Sequence, residues 1–399
     1  MTETRPTLPL VSAIIPTRNR AALLDRALDS VFAQEGLGKL FELEVIVVDD
    51  GSTDTTVDVV RRYPQVRYIV SHCRGAAGTR NIGIRASRGR FVCFLDDDDV
   101  WLPKRLKLQI PAIERHAEAG AVYSQVFHTE TGKPYPDLSR AASGRIFNAL
   151  LFGNCMCVHS VLIRREAFEK AGYFDDSLSC YEDWDLWLRL SFHYPFVFVP
   201  GLVAVYIVSG FGLWQSSANA EQNNARVIDK ALRMLPDAVE YSELKTTARV
   251  RVTLAYCPTW TKVLETVHAY PWVLRHDWAR RWVSRWIRTR AVKTESPLFA
   301  VQQLCGEMKT AAGHRSVTGR WWVRQTVAKA WAETASALAD GPPAQRRDAV
   351  RAAVRAVAVS PSLLTRSRLA PIIASGVFAS GAGRPRKAMT REQTRARVS

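Results

Sequence analysis

The sequence lacks any hydrophobic run of the roughly 18 residues that a membrane-spanning helix needs. Its N-terminus also lacks the apolar core of a signal peptide, so we expect neither secretion nor membrane insertion, but a cytoplasmic protein. The seven cysteines are scattered and include no CxxC pair, which disfavours a disulfide framework and a zinc site. No GxGxxG follows the first predicted strand, which weighs against a dinucleotide site.

The composition is that of a globular chain with a sizeable core. The 399 residues are 47% hydrophobic and 23% charged. The net charge of +17 lies entirely in residues 271–399, which carry 24 basic and 7 acidic residues, so the preceding residues are neutral overall. This asymmetry predicts a neutral body with a basic appendage that meets an anionic surface.

Short apolar runs alternate with helical patterns in the first hundred residues. Strands are predicted at residues 11–15, 43–48, 66–70 and 91–95. Helices are predicted at 21–34, from about 54, and at 78–86. Because the strand runs are apolar at consecutive positions, both of their faces should be buried. The pattern therefore predicts a doubly wound, mostly parallel α/β sheet, which binds its ligands beyond the carboxyl ends of the strands.

Carboxylates follow two of these strands. Asp49 and Asp50 end the second strand, and the run 96–99 consists of four aspartates after the fourth. Packed carboxylates repel one another unless a cation lies among them. In an extended segment Asp96 and Asp98 point the same way, which predicts a Mg²⁺ or Mn²⁺ site completed by a substrate diphosphate. The alternatives are a solvated acidic loop for the run and a turn with a helix cap for Asp49 and Asp50.

The motifs and their order closely resemble family 2 glycosyltransferases, which are nucleotide-sugar-dependent enzymes of the GT-A fold. The resemblance covers about residues 10–208 and rests on segments 12–19, 45–54, 78–83, 94–103, 161–175 and 182–189. It implies that Asp98 is the principal ligand of Mn²⁺ or Mg²⁺, and that Asp96 or Asp97 helps to hold the metal or the ribose. The residues expected to bind the nucleotide sugar are Pro16, Thr17, Arg18, Asp49, Asp50, Arg80 and Asp97.

The family's second acidic motif stands here as Glu182-Asp183-Trp184. The resemblance implies that Asp183 is the general base, with Glu182, Trp184 and His159 as candidates on the acceptor side. Two alternatives stay open, a helix cap for Asp183 and a satisfied core histidine for His159. A helix N-terminus would lower the pKa of Asp183, whereas exclusion of water would raise it.

The resemblance implies inverting transfer of a sugar to an acceptor hydroxyl on a glycan or a lipid-linked molecule. The sequence contains no QxxRW, so single addition is expected rather than polymer synthesis. Where the family often has Tyr-Arg, this chain has Tyr206-Ile207. The alternative from another class is a non-catalytic nucleotide-sugar-binding module whose basic tail docks on a membrane or another polyanion.

The expected domains are a catalytic domain at 1–217, a helical, Trp-rich region at 218–380 and a disordered basic tail at 381–399. Trp278, Trp282 and Trp286 recur every four residues, and arginines lie mostly on another face. This pattern fits a helix on an anionic membrane surface. Packing of the Trp stripe against the rest of the protein is the alternative, and no nucleic-acid partner is expected because no recognition motif is present.

Overall fold

The computed structural model describes residues 8–73, 75–138, 141–208 and 220–255. Beyond them it describes mainly residues 301–305 and 317–339, with short pieces between 265 and 359. The chain forms two compact units, Met1–Val252 and Thr253–Ser399. Helix Ala220–Met234 therefore lies in the same unit as the sheet.

The first unit is built on a nine-stranded sheet. Its strands are β1 Leu10–Thr17, β2 Glu42–Asp49, β3 Val66–Val70, β4 Phe91–Phe94, β5 Val100–Trp101, β6 Ala121–His128, β7 Lys133–Tyr135, β8 Val161–Arg164 and β9 Phe196–Tyr206. The spatial order is β3-β2-β1-β4-β8-β6-β9-β5, with β7 paired to β6.

The first four strands in that order run parallel. Apolar side chains from both faces of β1 are fully buried, including Val11, Ile14 and Ile15. Burial on both faces explains why these strands are apolar at consecutive positions. The predicted doubly wound, mostly parallel sheet is confirmed for this half of the fold.

The other half of the sheet is mixed. Strand β8 pairs antiparallel with both β4 and β6, whereas β9 runs parallel to β6 and antiparallel to β5. Because β4 and β8 are antiparallel, the end of β4 lies beside the beginning of β8. That pairing brings the aspartate run after β4 close to the residues that precede β8.

Helices flank the sheet. They are α1 Ala21–Phe32, α2 Thr56–Arg61, α3 Ala76–Ala86, α4 Arg105–Arg115, α5 Phe147–Leu150, α6 Ala167–Ala171 and α7 Glu182–His193, followed by α8 Ala220–Met234 and α9 Val239–Ala255. Helix α1 buries Leu24, Leu28 and Val31 at helical spacing, as the sequence predicts. The buried core under this helix includes side chains of β1 and β2.

The second unit contains helix α10, Val317–Ala339. In its described part this helix buries Val327, Ala328 and Trp331. The predicted stripe of Trp278, Trp282 and Trp286 and the tail at 381–399 lie outside the described residues. Among the described residues, no helix is both long enough and apolar enough to cross a bilayer.

Candidate active site

The carboxyl ends of β1, β2 and β4 bring three of the predicted motifs to one edge of the sheet. Thr17 is the register partner of Asp49, and the backbone N–H of Asp50 donates to the Thr17 carbonyl oxygen at 2.9 Å. The Thr17 hydroxyl donates to Oδ2 of Asp97 at 2.8 Å. The structure thus joins the end of β1 to the aspartate run.

The predicted nucleoside-binding carboxylates also shape their own loops. Asp49 accepts hydrogen bonds from the Ser52 backbone N–H and from the Tyr68 hydroxyl. Asp50 accepts one from the Gly75 backbone N–H at 2.9 Å. Pro16, near the end of β1, is buried, whereas Arg18, which follows the strand, is exposed. All four residues lie at the edge where a donor nucleotide is expected.

Arg20 neutralises part of the aspartate run. Its Nη1 lies 2.9 Å from Oδ1 of Asp97 and 3.0 Å from Oδ2 of Asp98. Arg26 donates to the Asp98 backbone oxygen at 2.8 Å. Burial, together with the charges of Asp96 and Asp99, still raises the pKa of Asp98 to about 6. The neighbouring carboxylates therefore affect the pKa of Asp98 more than the charge of Arg20 does.

Arg80 connects the aspartate run to the second acidic motif. Its Nη2 donates to Oδ1 of Asp96 at 2.6 Å, and its Nη1 donates to Oε1 of Glu182 at 2.8 Å. The Arg80 side chain is only 4% exposed and lies over the Phe174 ring, 5.5 Å from its centroid. Two motifs that are far apart in sequence are therefore held by one buried guanidinium.

Asp183 lies in the first turn of α7, and the helix is preceded by Tyr181 in the left-handed region (φ 67°). Its Oδ1 accepts from the Trp184 backbone N–H at 2.6 Å, and its Oδ2 accepts from the Asn154 side-chain amide at 3.0 Å. Trp184 is buried and donates its indole N–H to the Leu150 carbonyl oxygen. These contacts fix the direction of the Asp183 carboxylate.

The surroundings of Asp183 make its carboxyl group a weaker acid than that of an ordinary aspartate. Burial and the charge of Glu182 raise the pKa of Asp183 to about 7, although the Trp184 N–H, Arg80 and Asn154 each lower it. A carboxylate with this pKa is a stronger base than an ordinary exposed aspartate.

His159 lies beside the aspartate run, just before β8. Its Nδ1 is 2.9 Å from Oδ2 of Asp99, and both side chains are at least 98% buried. The contact does not have the alignment of a hydrogen bond, and neither ring nitrogen of His159 has a hydrogen-bond partner among the described residues. His159 is a core residue whose Nδ1 is ion-paired with Asp99: burial by itself would lower the pKa of His159, but the Asp99 carboxylate raises it well above its usual value.

A divalent ion fits this part of the site. Single ligand atoms of Asp96, Asp99 and His159 lie within 4.8 Å of one another. Carboxylate oxygens are suitable ligands for such an ion, and so is the imidazole nitrogen when the ring is neutral.

Four site residues were not predicted from the sequence. Arg20, Tyr68 and Asn154 carry no signal in their local sequence, because their partners lie in other motifs. Asp99 belongs to the run, but an extended segment predicts only that the side chains of Asp98 and Asp99 point to opposite sides. Its contact with His159 depends on the pairing of β4 with β8.

The family model for glycosyl transferase family 2 matches residues 12–172. The chain is 38% identical to validoxylamine A glucosyltransferase of Streptomyces hygroscopicus over 136 residues. This aligned segment is 33% of this chain and 32% of that protein. The chain is also 34% identical over 110 residues to an Escherichia coli enzyme named UDP-Glc:alpha-D-GlcNAc-diphosphoundecaprenol beta-1,3-glucosyltransferase, covering 27% and 42% of the two chains.

A solved structure supports the fold. Staphylococcus aureus TarS 1–349 in complex with UDP-GlcNAc superposes with a TM-score of 0.51 at 17% identity, over 76% of this chain and 90% of that one. The GT-A type architecture, the family match and the acidic motifs together define the class. Residues 12–172 of this chain match glycosyltransferase family 2. The chain spans only 32% to 58% of the length of curated relatives such as these.

Proposed function

We propose that this protein transfers a sugar from a nucleoside-diphosphate sugar to an acceptor hydroxyl with inversion at the anomeric carbon. The observation that carries the proposal is the Arg80 bridge between Asp96 and Glu182, because it holds the aspartate run and Asp183 at one site. The aspartate run can then face the donor diphosphate while Asp183 faces the acceptor.

Asp183 is the general base in this proposal. Its carboxylate takes the proton of the acceptor hydroxyl while that oxygen forms the new bond to the anomeric carbon. The bond from that carbon to the diphosphate oxygen breaks, and the leaving diphosphate takes its electron pair. The Asn154 amide and the Trp184 N–H orient the carboxylate for this transfer. Glu182 supports it by holding Arg80 and by raising the pKa of Asp183.

The donor is bound by the loops at the sheet edge. We assign its nucleoside to the segment of Pro16, Thr17 and Arg18 and to Asp49 and Asp50. Arg20 and Arg80 supply positive charge on either side of the aspartate run, where a diphosphate would otherwise be repelled.

The aspartate run would hold a divalent ion, Mn²⁺ or Mg²⁺, with Asp98 and Asp96 as the ligands that the sequence predicts and Asp97 beside them. When bound, this ion would offset the negative charge that grows on the leaving diphosphate. Thr17 and Arg20 hold Asp97 in place through the contacts at 2.8 and 2.9 Å.

The names of two relatives favour glucose as the sugar, because both relatives are glucosyltransferases. One of them acts on a diphosphoundecaprenol-linked sugar, which supports a lipid-linked acceptor for this chain as well. Single addition and docking of the basic C-terminal region on an anionic membrane remain predictions from the sequence.

Nucleoside-diphosphate release from a panel of donors tests the proposal. The full chain is incubated with Mn²⁺, an undecaprenyl-diphosphate-linked sugar and UDP-glucose, UDP-GlcNAc or GDP-mannose in turn. We expect acceptor-dependent release and a β-linked product from one donor. Binding of a donor with no product from any acceptor would instead support the non-catalytic alternative.

A further inference from the structure

Helix α8 follows the last strand of the sheet and lies outside the residues that the family model matches. Three of its polar side chains contact the loop that leads into α7, and spacings of three and four residues place them on one face of the helix. The Asn223 amide donates to Oγ of Ser179 at 2.8 Å, and Arg226 donates to Oγ of Ser177 at 2.8 Å. The third side chain is Lys230, which is partly buried. One face of α8 therefore holds the loop that carries the chain to the second acidic motif.

Lys230 binds the chain on both sides of that motif. Its Nζ lies 2.8 Å from Oδ2 of Asp175, which precedes the motif, and 3.0 Å from Oδ1 of Asp185, which follows it. The Asp185 side chain is only 2% exposed, so its contact with Lys230 is shielded from solvent. One ammonium group thus closes residues 175–185 into a loop, and Asp183 lies within this loop.

The residue before the motif has a backbone conformation that depends on its surroundings. Tyr181 has a φ of 67°, in the left-handed region that a bulky side chain rarely adopts. Such a conformation persists where the neighbouring structure enforces it. The Asp185 N–H donates to the Tyr181 carbonyl oxygen at 3.0 Å, and Lys230 holds the carboxylate of the same Asp185. Because α7 begins at the residue after Tyr181, these contacts set the direction of its first turn, which contains Asp183.

We propose that Lys230 is a positioning residue for Asp183, because its bridge between Asp175 and Asp185 holds the start of α7 in place. This inference rests on the proposed function for the role of Asp183. The contact of Asn154 with the Asp183 carboxylate acts on the same turn from a different part of the chain. Lys230 acts through the backbone of α7 and takes no part in the transfer of the proton.

Asp185 has a second cation, which makes the proposal testable by substitution. Arg189 donates to Oδ2 of Asp185 from Nε at 2.9 Å and from Nη2 at 2.6 Å. Loss of Lys230 therefore leaves the buried Asp185 carboxylate paired, and a large loss of stability is not expected. Arg189 lies on the same helix as Asp185, so it cannot replace the link to Asp175 and α8. A change at Lys230 removes that link and keeps the charge of Asp185 compensated.

Hydrogen–deuterium exchange of the full chain tests the bridge without any substrate. We expect Lys230→Met to speed exchange in peptides covering 175–185 by roughly threefold or more, with no change in β2, because only the local restraint is lost. Lys230→Arg keeps the charge and should restore parental exchange. Lys107→Met removes an exposed lysine that pairs with Glu35 at 2.8 Å, and it is the matched control. Parental exchange in Lys230→Met, or equally faster exchange in β2, would overturn the bridge.

Steady-state kinetics test the positioning of the base. In Lys230→Met we expect kcat to fall roughly tenfold or more and the KM for the donor to change less than about threefold, because a misplaced base slows the chemical step. Lys230→Arg should recover most of the lost kcat, and Lys107→Met should keep parental constants. Faster exchange in 175–185 with a parental kcat would contradict the positioning role alone. A parental protein that transfers no sugar would contradict the proposed function, and the exchange result would still decide whether the bridge exists.

Discussion

Nδ1 of His159 lies 2.9 Å from Oδ2 of Asp99, in the interior of the sheet edge. The two residues are far apart in the sequence, and they meet because β8 pairs antiparallel with β4. His159 precedes β8 and Asp99 follows β4 after a short loop, so the pairing sets their side chains against each other. The aspartate run therefore contacts His159 through Asp99 as well as Arg20 and Arg80.

Replacing Asp183 by Asn should remove the base. We expect kcat to fall by roughly 10²–10⁴-fold, with little change in the KM for the donor, because the amide cannot accept the acceptor's proton. Steady-state assays of nucleoside-diphosphate release measure both constants. Asp58→Asn, an exposed change on α2, is the matched control and should keep parental rates. Parental kcat in Asp183→Asn would refute the assignment of the base.

The activity should depend on pH through Asp183. Because burial and Glu182 raise the pKa of Asp183 to about 7, the carboxylate is protonated and inactive as a base below that pH. We expect kcat/KM to rise with pH through about 7 and then level off. A profile that is flat from pH 5 to 8, measured with saturating Mn²⁺ at every point, would show that Asp183 does not control the rate.

Asn154 should affect the pH at which kcat/KM rises, which is called the acidic limb of the pH profile. Its amide donates to the Asp183 carboxylate, which favours the charged form. In Asn154→Ala we therefore expect the limb to move to higher pH and kcat to fall more than KM changes. Tyr135→Phe is the control, because it removes a hydrogen bond to the Asn154 backbone oxygen and leaves the Asn154 side-chain amide in place. An equal shift of the limb in both variants would indicate a displaced loop instead.

Asp183 should also affect the pH dependence of stability. Its folded-state pKa is raised above the value of about 3.9 in an unfolded chain, so the folded protein binds the extra proton between the two values. The carboxyl group therefore destabilises the fold progressively as the pH rises from about 4 to about 7. We expect the Tm of Asp183→Asn relative to the parent to increase over this window. A difference in Tm that stays constant across this window would contradict a raised pKa of Asp183.

Arg80 should matter for stability as well as for activity. Its removal leaves Asp96 and Glu182 without their buried cation, which typically costs about 3 kcal/mol or more. We expect Arg80→Gln to lower the free energy of unfolding by about that amount in urea. Arg61→Gln, which breaks an exposed pair with Asp58, should change it by no more than about 0.5 kcal/mol. Equal effects of the two changes would contradict a buried bridge.

The sequence predicted most of the sheet edge. Strands apolar at consecutive positions identified the parallel half, and the ends of those strands located the segments that hold Thr17, Asp49 and the aspartate run. The antiparallel half was not predicted, because it is formed by pairings between strands that are distant in sequence. The site contacts of Arg20 and Asn154 were not predicted for the same reason, since local periodicity carries no information about side chains from other motifs.

By itself, the sequence determined which acids stand at the strand ends and in the second motif, because strand periodicity and spacing are local properties. Only the tertiary structure decided that Arg80 joins Asp96 to Glu182, that Asn154 orients Asp183, and that His159 lies against Asp99. Each of these contacts depends on how strands and helices far apart in the chain pack together. The physical reason is that the chemistry of a side chain depends on the charges and the burial contributed by all of its neighbours in space. Those neighbours come from distant parts of the sequence.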